Sequence, residues 1–119
     1  MTQKVSLLTI SVAAAVALAA ERFVTANGTY PTERQGALGV TATAAAVGEM
    51  VAVDTLGTSI VTAGFAFAKG ASLAVGAFGK AVPAQATDVI VATALEASTA
   101  DGDRVEIFMI TNATPATGS

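Results

Sequence analysis

The residues able to do chemistry are few. The chain has no histidine and no cysteine, so the commonest general base and the soft metal ligands are missing. Disulfides and thiolate sites are excluded with them. What remains is the acids: Glu21, Glu33, Glu49, Asp54, Asp88, Glu96, Asp101, Asp103 and Glu106. Two carboxylates at a suitable separation can run acid–base chemistry. The densest grouping is Asp101-Gly102-Asp103 with Glu106. Asp-x-Asp also opens a calcium loop, but Val105, Ile107 and Phe108 stand where such a loop needs oxygen ligands. Lone Asp-Gly loops mostly serve turn geometry. The stretch from Gly70 to Gly76 lacks the lysine and following helix of a phosphate loop. The serines have no partner base, so nucleophilic catalysis has no support. No catalytic, cofactor or metal residue is assigned, and nothing marks an enzyme.

The acidic loop is positioned by the stretch from Asp88 to Ile110, which reads as two strands around a tight turn. Val89, Ile90 and Val91 are β-branched, which suits a pleated backbone. Val105, Ile107 and Met109 alternate with Arg104, Glu106 and Phe108 at strand period. Asp101-Gly102 supplies the turn, since glycine takes positive φ without steric cost. A similar pattern lies 54 residues earlier, pairing Gly48 with Gly102, Glu49 with Asp103, Val51 with Val105 and Val53 with Ile107. In the same loose frame, Phe23 to Thr29 matches Phe78-Gly79-Lys80. Either the chain repeats a hairpin unit, or a glycine-rich β sequence echoes itself, as short apolar patterns readily do.

Elsewhere the chain reads as short strands between turn signals. Strands are expected over 21–25, 38–43, 49–56 and 58–63, with Asn27-Gly28 as a hairpin turn and Gly57 as a stop. The polar stretch from Tyr30 to Gly36 reads as an exposed loop. Gly64, Gly70, Gly76 and Gly79 leave room only for short strands and tight turns. Pro83 ends another strand. The expectation is an all-β fold, a small sandwich or barrel of eight to ten short strands. One β domain is expected over 21–110, preceded by an arm over 1–20 and followed by a polar tail over 111–119.

Hydrophobic residues make up 53% of the chain and charged residues only 13%. About a quarter charged is usual for a soluble monomer, so part of the surface should be covered by another protein. The net charge of −3 gives no basic surface for nucleic acid. In the arm, Leu7, Thr9 and Ser11 alternate with Leu8, Ile10 and Val12, so both faces are partly apolar. An isolated strand of this kind must dock on something, which makes Leu7, Leu8, Ile10 and Val12 candidate interface residues. The alanine-rich part, 13–20, forms either a short helical turn or a packed extended segment. Lys4 ahead of an apolar run of about 16 residues, with Ala17-Leu18-Ala19 after it, also fits a signal peptide; the run is shorter than a membrane span.

Many weak features then fall in one order. They are Arg22-Phe23-Val24, Asn27-Gly28, Leu38-Gly39-Val40, Gly48-Glu49, Val51, Val53, Gly57, Ala63-Gly64, Lys69-Gly70, Gly79-Lys80-Ala81-Val82, Ala94-Leu95-Glu96-Ala97, Asp101-Gly102-Asp103, Val105 and Ile107. In this order and spacing, from about residue 7 to 110, the sequence resembles the small capsid decoration, or cement, proteins of tailed bacteriophages. No single motif is specific; the succession carries the resemblance. It implies a β-rich homotrimer without catalysis or cofactor. It implies binding to the major capsid protein on the outer head surface at three-fold and quasi-three-fold positions, with no nucleic acid or membrane as partner. The location implied is the virion, after synthesis in the host cytoplasm. A cement protein needs contact area rather than chemistry, which agrees with the residues present. The competing reading is a secreted β-rich adhesin or fibre subunit with residues 1–20 as signal peptide.

Overall fold

The computed structural model describes residues 6–85 and 88–109, with the side chains of residues 6 and 7 outside the description. The described strands are β1 Ser6–Ala13, β2 Phe23–Val24, β3 Gly39–Thr41, β4 Met50–Thr62, β5 Ser72–Val75, β6 Ala81–Pro83, β7 Ala92–Ala94 and β8 Arg104–Met109. A single 3-10 turn, Ala77–Gly79, precedes β6. The protein is therefore all-β, as the turn spacing predicts. The strands pair antiparallel in the order β2-β3-β4-β8-β7-β5-β6, with β1 on β4. A parallel bridge between Ala63 and Ala81 joins the end of β4 to β6, so β4, β8, β7, β5 and β6 close into a small barrel.

One strand spans both halves of the molecule. β4 pairs with β1 and β3 through its first part and with β8 through its second. Gly57, expected to stop a strand, lies inside it with φ +96. Its left-handed backbone bends the strand without breaking it. Across the bend, Asp54 reaches Ser59.

The bend separates two copies of one unit. In the first, Val12 pairs with Val51 and Ala13 with Met50; in the second, Val61 pairs with Val105 and Thr62 with Arg104. Phe23 on Val40 matches Ser72 on Thr93. The irregular links agree too. Leu18 bridges Ala45 as Phe67 bridges Ser98. Gly48 N–H donates to Ala14 O at 2.8 Å and Gly102 N–H to Ala63 O at 2.8 Å. Both glycines have positive φ, +88 and +98. The paired turns read from the sequence are thus equivalent in space. Two details differ. The strand ahead of the second turn is offset by 53 residues, because Gly39 matches Ala92. Phe23 corresponds to Ser72 rather than to Phe78.

Two apolar clusters fill the interior, one of them shared between the units. One gathers Phe23, Val40, Val61, Leu73, Val105 and Ile107 among others; the second holds Val12, Ala14, Leu18, Val24, Ala45, Val51 and Val53. The alanine-rich segment is extended, because Ala14 and Leu18 are buried and Leu18 exchanges backbone hydrogen bonds with Ala45. The stretch expected as an arm is, over 6–13, a strand of the chain's own sheet. The expected tail, 111–119, lies outside the described residues. The β-branched run Val89–Val91 is not a strand: β7 begins at Ala92, and Val89 and Val91 plug the first cluster from a loop.

Candidate functional site

The acids do not converge. Asp103 Oδ2 accepts from the Thr99 N–H at 2.9 Å, the Thr99 hydroxyl at 3.0 Å and the Ala100 N–H at 3.3 Å. The backbone N–H of Thr99 is the chief reason its carboxyl sits below the usual range. Glu49 plays the same part in the first unit, accepting from the Ala46 N–H at 2.8 Å. Asp101 takes Lys80 Nζ at 3.0 Å, and Glu96 takes the Glu106 N–H at 2.7 Å. Among the described residues no group of three or more acids is placed to hold a metal. The acidic loop closes a turn.

The buried acid is elsewhere, on β4. Asp54 is 1% exposed and accepts from the Thr9 hydroxyl at 2.9 Å and the Ser59 hydroxyl at 2.9 Å. It ties β1 to both sides of the Gly57 bend. In the sequence its only signal is a lone acid within an apolar strand. A small hollow lined by Phe23, Ala37, Leu38, Gly39, Thr55, Val91 and Met109 offers about 10 Å³, room for roughly one water. It is too small for a substrate.

What the surface offers instead is apolar area. Of the four residues singled out on β1, Leu8 and Ile10 are 50% and 37% exposed, while Val12 is buried in the second cluster. The side chain of Leu7 lies outside the description. Leu8 pairs with the exposed Leu56 after a register shift, so a bulge brings the two leucines together on the outer face. Exposed Val16, Val47, Met50, Phe65, Phe78 and Phe108 were not singled out by the sequence. Phe78 holds φ +55 and stands edge-on to Tyr30, ring centres 6.3 Å apart. Arg22 Nη1 donates to the Phe78 carbonyl at 3.2 Å. A non-glycine residue in this conformation is strained, and here the strain presents an aromatic ring to solvent. Among the described residues no helix is long and apolar enough to cross a membrane.

Among the described residues short β strands carry a broad exposed apolar surface, the feature of a protein that works by contact. The sequence matches the family described as phage cement protein over residues 2–109, and the chain belongs to that family. It is a phage structural protein associated with the head. In fold it is similar to the head fiber gp8.5 N base of bacteriophage phi29, with a TM-score of 0.74, 20% identity, and 87% of this chain and 93% of that chain covered. No curated protein matches the sequence.

Proposed function

We propose that the protein decorates the outer surface of a phage head as a homotrimer, binding the major capsid protein at three-fold and quasi-three-fold positions and stabilising the shell. The observation that carries this reading is the family match along residues 2–109. The surface supports it. Among the described residues ten large apolar side chains are exposed, including Leu8, Ile10, Val47, Met50 and Phe65, and a chain that works by contact needs such area. Many copies on one lattice add weak contacts by multivalency. Leu8 and Ile10 are the residues of β1 offered to a partner, while Val12 serves the chain's own core.

The signal-peptide alternative conflicts with packing. Cleavage near Ala17–Ala19 would remove β1 and strip Val12 and Ala14 from the second cluster. The decisive experiment adds purified protein to heads lacking it. Saturable co-sedimentation, with a rise in the temperature at which heads release DNA, is the expected outcome. Protein that stays in the supernatant at micromolar concentration refutes the reading.

A further inference from the structure

The 3-10 turn at Ala77–Gly79 displays an aromatic ring for which the chain's own core has no use. Phe78 is 68% exposed and sits at φ +55, a conformation that a bulky residue keeps only where its surroundings impose it. Here they do. The Gly76 N–H donates to the Lys80 carbonyl at 2.7 Å, and the Lys80 N–H to the Ala77 carbonyl at 3.2 Å. Gly79 lies so close to the chain beneath it that a β-carbon there would run into the Phe23 carbonyl oxygen. Tyr30, edge-on to the ring, is itself held, since its hydroxyl accepts the Ala19 N–H at 2.8 Å. The ring therefore stands on a stiff backbone.

Beside it is a cation that the fold leaves unsatisfied. Arg34, Lys80 and Arg104 each pair with an acid of the chain, respectively Asp88, Asp101 and Glu21. Arg22 is partly buried, yet among the described residues it pairs with no acid. Its Nε is shut off from solvent without a hydrogen-bond partner. Of the five N–H donors of a guanidinium, the Phe78 carbonyl takes one, on Nη1. A pre-set aromatic ring next to an arginine with donors to spare is the composition of an interface anchor.

We propose that Arg22 and Phe78 anchor the protein to the shell, the ring entering an apolar pocket and the Nη nitrogens meeting a carboxylate at its rim. The inference rests on the head-binding reading above. Charge and shape select the occupant. Every acid of this chain except Glu33 and Glu106 already holds a partner within its own fold. The hollow lined by Phe23 and Met109 has room for roughly one water, so it cannot seat a phenyl ring. A second copy is thus poorly equipped to receive this anchor, and a partner of different sequence, with a free acid beside an apolar pocket, fits it.

The test removes one half at a time. Left-handed backbone suits glycine, so Phe78→Gly relieves strain, keeps the carbonyl that Arg22 holds and deletes only the ring. Its melting temperature should match or exceed that of the wild type. Arg22→Gln removes the charge. Both are titrated onto purified heads lacking the protein, and the sedimenting fraction is read against concentration. Half-saturation should rise roughly tenfold or more in each. Wild-type binding should weaken as sodium chloride is raised, and Arg22→Gln should lose part of that dependence, which a purely structural role for Arg22 would not produce. If Arg22→Gln does not fold, Phe78→Gly reads the same site. Folded Phe78→Gly that sediments with heads like the wild type overturns the proposal and leaves head binding standing. A variant that binds heads normally but loses self-association in sedimentation velocity places the ring between copies, which also overturns it. A wild type that ignores heads removes the head-binding reading and this inference with it.

Discussion

Val12 and Leu8 lie four residues apart on one strand, and the structure gives them opposite work. Val12 is 8% exposed within the second cluster, whereas Leu8 is 50% exposed. Val12→Ala removes two buried carbons, worth ~0.8 kcal/mol each by transfer, and leaves a cavity among Ala14, Val51 and Val53. The expected loss is about 2–3 kcal/mol. A domain of this length holds on the order of 6–18 kcal/mol in all, so the variant stays folded with a visibly lower denaturation midpoint. Leu8→Ala gives up only part of one side chain's burial and should cost less than about 1 kcal/mol. Binding should invert the order: Leu8→Ala sediments poorly with heads, and folded Val12→Ala sediments normally. Urea titration followed by circular dichroism supplies the first comparison, and co-sedimentation below the unfolding transition the second. A Val12→Ala loss under about 0.5 kcal/mol, or a larger loss for Leu8→Ala, would refute the assignment of the two faces.

Three further outcomes follow from single contacts. A β-carbon at Gly28 would stand 1.9 Å from the Ala13 carbonyl oxygen, whereas one at Gly102 meets nothing within 4 Å. In urea titration Gly28→Ala should therefore cost about 3 kcal/mol or more, and Gly102→Ala only the ~1 kcal/mol of left-handed strain; equal losses would contradict the packing. Asp54→Ala leaves the Thr9 and Ser59 hydroxyls without their carboxylate and should lower stability by about 3 kcal/mol, read from the same titration. Asp103 and Asp88 have folded-state pKa values below their usual range, chiefly through the backbone N–H of Thr99 and of Gln85 respectively. Their contribution is present above the unfolded value of ~3.9 and disappears as pH falls through the folded one. Melting temperature should fall on acidification below about pH 4, and less steeply in Asp103→Asn.

The strand class and the two turns were legible because they rest on local chemistry. Gly48 and Gly102 each precede an acid that accepts from the loop's own amides, and that arrangement needs only neighbours in sequence. Three features were not legible, and each was decided at long range. Gly57 reads as a stop, but pairing with Ser6 keeps it inside β4. Residues 13–20 favour a helix by propensity, but burial of Ala14 and Leu18 overrides it. Val89–Val91 outranks Ala92–Ala94 in strand propensity, yet Ala92–Ala94 form β7, paired to β5 and β8 with Ala92 and Ala94 buried. On β1 the alternation was apolar on both sides, and the bulge beside Leu8 alters which side each residue takes. Val47 was missed, although a signal existed: it lies at the end of the run 35–48, which holds no charge at all.

The two units also explain why β1 cannot be treated as an appendage. In the second unit the strand equivalent to β1 is the later part of β4, which is covalently continuous with the rest of the sheet. In the first unit the same place is filled by β1, paired with β4 in the equivalent register. The register is kept, so Val12 does for its cluster what Val61 does for the other.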